Sequence, residues 1–155
     1  MRWRYGETNP IVMPVDSASV IEIGDLVWLD TDNAKPASDV ADQLTEAANQ
    51  EYFHDRFAGV AMQRSASGDT EPIRVATTGV FEFDCASATY EVGDLIGSSE
   101  AASGTELETQ KVVAVGSGNE NLAIGRCTKR VASADTRVLV DAVSTVMRGG
   151  PQAAA

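Results

Sequence analysis

Apolar and polar residues alternate with period two through much of this chain, and clusters of Gly, Asp and Ser interrupt the alternation at short intervals. That pattern predicts short, half-buried strands joined by tight turns. Val80-Phe81-Glu82-Phe83-Asp84-Cys85 is the clearest case: Phe81, Phe83 and Cys85 fall on one face and should be core, with Glu82 and Asp84 opposite. Ile21-Glu22-Ile23 reads as a strand, Gly24-Asp25 as a turn and Leu26–Leu29 as the next strand. Ser67-Gly68-Asp69 and Ser133-Ala134-Asp135 read as the polar turns of two hairpins, whose outgoing strands carry Ile73-Arg74-Val75 and Val138-Leu139-Val140. One segment departs from the period of two. Val40, Leu44, Ala47, Ala48 and Tyr52 recur at spacings of three and four, which predicts a helical insertion near 38–56. Ser38 can cap it and Asp39 and Asp42 suit its positive end. Residues 97–106 read as a flexible surface loop and residues 148–155 as a flexible tail.

The pattern also repeats. Glu22-Ile23-Gly24-Asp25-Leu26-Val27 returns as Glu91-Val92-Gly93-Asp94-Leu95-Ile96, 69 residues later. Residues 59–70 return at 125–136, 66 residues later, with Gly, Arg, Ala, Ser, Asp and Thr in identical places. Two ordered matches at nearly equal offset argue for a duplicated β unit. The fold class that follows is all-β: a small β-barrel or sandwich with an internal pseudo-two-fold repeat and one short surface helix, over residues 18–147. Residues 1–17 form an extended N-terminal arm, stiffened by Pro10 and Pro14.

Length and charge narrow the functional classes. A chain of 155 residues, 43% apolar and 23% charged, is sized and composed for one folded domain. Its longest apolar runs fall far short of the roughly 20 residues that span a bilayer. The polar stretch after Tyr5 lacks the apolar core of a secretory leader, so no membrane and no Sec export are expected. A net charge of −11 repels phosphate backbones and argues against nucleic acid as the main partner. Residues 16–60 carry ten acidic and two basic groups, whereas residues 126–155 carry five basic and two acidic. Either the acidic body serves solubility and the basic ends are incidental, or those ends dock on another protein. Cys85 and Cys127 are too few for a disulfide framework and are expected as buried free thiols.

Candidate chemistry is sparse. The single histidine, His54, has no G-x-S-x-G partner motif and reads as a structural residue at a helix end. Asp30-Thr31-Asp32-Asn33 has the oxygen density of a calcium loop without its Gly and distal Glu, and reads as an Asx-rich turn. Asp25 and Asp94 could form a carboxylate dyad in a duplicated fold, but the Gly-Asp setting is first a turn. Gly116-Ser117-Gly118 and Gly149-Gly150 lack the context of a phosphate loop. No catalytic residue, metal or cofactor is expected. The residues suited to binding are Arg2, Trp3, Arg4 and Tyr5, whose interleaved cations and aromatics could stack on bases but, given the acidic body, fit a protein partner better.

Five motifs in order, Gly24-Asp25-Leu26, Ala58–Ala61, Arg74–Phe81, Gly93-Asp94-Leu95 and Ala123–Arg126, resemble the small capsid decoration, or cement, proteins of tailed bacteriophages. The resemblance spans roughly residues 18–143. It implies a non-enzymatic virion protein on the outer capsid surface, assembled in the bacterial host cytoplasm, that bridges major capsid subunits as a homotrimer and stabilises the head. The alternative is a glycan- or receptor-binding β module of a phage tail or fibre.

Overall fold

The computed structural model describes residues 1–153, which form two β-sheets, one helix of three turns and a second helix of a single turn. The strands are Arg2–Tyr5 (β1), Ile11–Met13 (β2), Leu26–Asp30 (β3), Asn33–Pro36 (β4), Phe57–Ala61 (β5), Ile73–Ala76 (β6), Thr78–Tyr90 (β7), Leu95–Glu100 (β8), Leu107–Ala114 (β9), Gly125–Cys127 (β10) and Val131–Val143 (β11). The helices are Glu46–Arg56 (α1) and Thr145–Arg148 (α2).

The duplication is visible in the topology. One sheet has the order β2-β6-β5-β3-β4, and the other repeats it as β7-β11-β10-β8-β9, with β1 added outside β7. In the second half, a parallel pairing of β7 with β9 at Asp84–Lys111 and Cys85–Val112 closes a five-stranded barrel. The first half is an open five-stranded sheet, whose β2 and β4 ends meet through one bond, from the Ala34 N–H to the Pro14 carbonyl (2.8 Å). Proline at position 14 supplies an acceptor but has no N–H.

The two Gly-Asp-Leu turns are equivalent bond for bond. Gly24 N–H donates to Ala61 O and Gly93 N–H to Cys127 O, both at 2.8 Å. Asp25 Oδ2 accepts from the Glu22 N–H and Asp94 Oδ2 from the Glu91 N–H, again at 2.8 Å. Both glycines have positive φ, +97° and +93°, which a Cβ disfavours. Gly59 pairs with Val27 as Gly125 pairs with Ile96. A Cβ on either glycine would strike the neighbouring strand, 1.9 Å from Ala76 O or 2.2 Å from Asp141 O. Gly59 and Gly125 are therefore where two backbones approach too closely for any side chain.

Phe81, Phe83 and Cys85 are buried as the alternation requires, in a core shared with Leu26, Trp28, Phe53, Phe57 and Val60 of the first half. A smaller core of Met13, Val15, Ile21, Val27, Ile73 and Val75 fills the first sheet. Cys85 and Cys127 are free and buried, and burial raises both thiol pKa values.

Five sequence expectations are corrected. Ile21-Glu22-Ile23 is not a strand: Ile21 makes one bridge to Ser65, and the Asp25 carboxylate then folds residues 22–25 into a turn that leaves Ile23 61% exposed. The helix starts at Glu46, capped by Thr45 Oγ1 accepting from the Ala48 N–H (3.2 Å), while Ser38 lies in a 3-10 turn over Ala37–Asp39. Asp42 accepts from the Leu44 N–H (2.8 Å), a local bond that competes with helix and leaves Leu44 exposed at φ +76°. The buried face of α1 is Asn49, Gln50 and Phe53, so its packing is polar as well as apolar. Ser133-Ala134-Asp135 lies inside β11, within the register irregularity between Val131 and Arg137, whereas its counterpart Ser67-Gly68-Asp69 is a turn in which Gly68 adopts φ +87°. Residues 97–100 belong to β8, with Ser98 buried, and the loop is confined to 101–106.

The two chain ends are also more integrated than expected. From Ile11 onward the arm of residues 1–17 joins the first sheet as β2, because Met13 and Val15 alternate into the core. In the tail expected over 148–155, Arg148 ends α2, Gly150 and Pro151 are buried, and Arg126 Nη2 donates to Gln152 O (2.7 Å). Residues 154 and 155 lie outside the described residues.

Candidate functional site

The residues singled out for binding, Arg2, Trp3, Arg4 and Tyr5, form β1, an antiparallel edge strand on β7. The register pairs Arg2 with Glu82, Trp3 with Phe81 and Tyr5 with Val80, with an irregularity between Trp3 and Tyr5. All four side chains remain exposed, Trp3 at 54% and Tyr5 at 52%. β7 accommodates β1 because β9 pairs lower down, at Asp84 and Cys85, and leaves the edge at Val80–Glu82 open.

Side chains fix the strand at three points. Arg4 donates to Glu82, which also accepts from Arg137 (3.2 Å) on β11, so one carboxylate holds two guanidinium groups from opposite neighbours. The hydrogen bond from Arg4, desolvation notwithstanding, and then the charge of Arg137 hold the Glu82 carboxyl below its ordinary value of 4.5. The Met1 ammonium donates to Gln110 Oε1 (3.1 Å), and Gln110 donates in turn to Asp25 Oδ1 (2.8 Å). Tyr5 Oη reaches Thr128 Oγ1 at 3.5 Å. Met1 packs on the Gly24 turn of the first half, so β1 straps the two halves together.

Beside the strand lies an apolar groove of about 410 Å³, lined by Met1, Trp3, Thr8, Ile23, Ala61, Met62 and Phe81. Ile23 and Met62 were absent from the binding residues read off the sequence. The alternation places Ile23 in a half-buried strand, and only the Glu22–Asp25 turn reveals that it faces out. On the side of β11, Lys129, Arg130 and Arg137 border a second concavity with Glu82, Ser133 and Asp135. Arg130 pairs with Glu91 (2.8 Å), as Arg64 pairs with Glu22 (3.0 Å) in the first half. Arg2 and Lys129 make no ion pair among the described residues. A strongly acidic chain thus carries half-exposed aromatics and cations together along one edge.

The other candidates have structural roles. His54 Nδ1 lies 2.7 Å from Ala123 O and ties α1 to the second half. Asp25 and Asp94 each close their own turn. Asp30 and Asn33 pair across a two-residue hairpin turn, and Asp30 meets Lys35 at 3.2 Å. Among the described residues no group of three or more His, Cys, Asp or Glu is placed to hold a metal, and no helix is long and apolar enough to cross a membrane. The remaining aromatics, from Trp28 to Tyr90, are buried or half-buried, and Trp28 Nε1 donates to Pro36 O (3.0 Å).

A family model described as phage cement protein matches residues 41–142, which include α1, the last two strands of the first sheet and nearly all of the barrel. A search of curated proteins finds no match.

Proposed function

Because the chain belongs to the phage cement protein family, we propose that it binds the outside of the phage head, bridges neighbouring major capsid subunits as a homotrimer and stabilises the shell. The family match, which spans the larger part of the chain, carries this reading. The β1 edge supplies a suitable adhesive: Trp3 and Tyr5 are large, half-exposed rings, and Arg2 and Arg4 flank them with charge. Aromatic and Arg side chains dominate interface energetics, and a buried anchor of this kind contributes about 2 kcal/mol or more. Three linked copies would engage a symmetric lattice with avidity beyond any one contact. On this reading the protein assembles with heads in the host cytoplasm.

The test is decoration of purified heads that lack the protein. Wild-type chain is expected to co-sediment with them, occupy local three-fold positions and raise their resistance to heat. Deleting residues 2–5 is expected to weaken binding at least tenfold while leaving the barrel closed by β7 and β9. Single copies at unrelated positions would overturn the trimer. Undiminished binding of the deleted protein would move the adhesive face away from β1.

A further inference from the structure

β1 is the one strand that the duplication does not account for. Strands β2 to β6 map in order onto β7 to β11, and the barrel closes through β7 and β9 without any help from β1. The edge at Val80–Glu82 is nevertheless shaped to receive a strand, with Glu82 for Arg4, Thr128 for Tyr5 and the Gly24 turn for Met1. The joint is narrow. Gly6 sits at φ +89°, and the chain is held again from Glu7 onward, where Thr78 Oγ1 donates to Glu7 O (2.7 Å) and the Thr77 N–H to Thr8 O (2.9 Å). One glycine therefore separates an anchored stem from a strand whose four side chains are all exposed.

We propose that β1 is an exchangeable strand, which leaves its own β7 and pairs with β7 of a second copy of this chain. A second copy is the occupant that the geometry favours, because it brings the same segment to the same edge: every backbone and side-chain bond made within one chain is remade between two. Exchange then turns on hinge strain and local concentration rather than on new contacts. Rotation at Gly6 is what it requires, and glycine tolerates either sign of φ. Five residues reach about 17 Å when extended, which sets how close the Val80–Glu82 edge of a neighbouring copy must lie. This deepens the reading above, on which it rests for its place on the head, by naming the contact that would join copies into a trimer.

The test uses the cross-strand pair Arg2 and Glu82. Full-length Arg2→Cys and Glu82→Cys proteins are mixed at high concentration, incubated, then diluted and oxidised. The double variant, oxidised at low concentration, reports whether the pair still meets within a folded chain. Either single variant alone, and the wild type with its two buried thiols, give the background. Exchange predicts a covalent dimer in the mixture that is at least tenfold above that background. A double variant that closes within its own chain, beside a mixture that gives no dimer above background, would overturn the proposal. The double variant lacks the Arg4–Glu82 bond, so its closure tests the backbone pairing of β1 on β7 alone; failure to close would overturn the proposal as well, since exchange remakes that backbone pairing. Head binding by the wild type is scored separately, so loss of the capsid reading and loss of strand exchange are distinct results.

Discussion

Among single residues, the glycines carry the sharpest consequences. Gly59 and Gly125 sit where a Cβ would overlap a carbonyl oxygen of the next strand. Alanine at either position is expected to destabilise the fold by about 2–3 kcal/mol or more, measured by urea denaturation. Gly93 has open space around its missing Cβ, so Gly93→Ala should show only the strain of positive φ, roughly 1 kcal/mol. Glu82 offers a pH readout. Its carboxyl, held by Arg4 and Arg137, has a folded pKa below its unfolded one. The stabilisation is therefore present above the ordinary glutamate value of 4.5 and fades as pH falls through it towards the folded value. Trp3 fluorescence should report loosening of β1 in that acid window, and Glu82→Gln should already be loosened at neutral pH. A pH-independent Trp3 signal would show that backbone pairing alone seats the strand.

At the level of elements, α1 illustrates what periodicity misses. Apolar spacing points to a stripe from Val40 to Tyr52, yet the helix is placed by Phe53 in the core together with polar side chains that reach the second half. Gln50 Nε2 donates to Ser98 O and Asn49 Nδ2 to Glu100 Oε1, both at 2.8 Å. Such partners lie about fifty residues away in sequence, so no local pattern encodes them. Thr45→Ala is expected to cost about 1 kcal/mol through the lost cap. Gln50→Ala should cost about 1–3 kcal/mol, because it leaves the buried Ser98 carbonyl unpaired. Equal, negligible effects in urea melts would mean that α1 merely rests on the sheets. The contrast between the Gly68 turn and strand β11 at Ala134 is the opposite case, where the positive φ of the turn falls on the one residue of the pair that is glycine.

For the molecule as a whole, the larger core crosses the repeat boundary. Trp28, Phe53 and Phe57 of the first half pack with Phe81, Phe83 and Ile124 of the second. Ser144 Oγ donates to Phe57 O (3.1 Å), and α1 is tied to the second half through His54 and Gln50. Two halves that share a core cannot unfold independently, so denaturation should be a single transition. Near-ultraviolet signals from the aromatic core and far-ultraviolet signals from the strands should coincide. Two separated transitions would show that the halves are autonomous despite their shared core.

The duplication, the Gly-Asp-Leu turns, the burial of Phe81, Phe83 and Cys85, and the family are all legible in the linear chain. Each is a matter of period, residue type or order along the chain. Which half closes into a barrel is settled in three dimensions, because closure needs β7 and β9 to meet in parallel across more than twenty residues, whereas the first half has a single bond, to the Pro14 carbonyl, at the same seam. Also settled there are the place of the arm as a strand on β7 and the meeting of Ile23 and Met62 with Trp3 in one groove. Those outcomes depend on which distant backbone edge is left unpaired, and an unpaired edge is a property of the assembled sheet that no single segment contains.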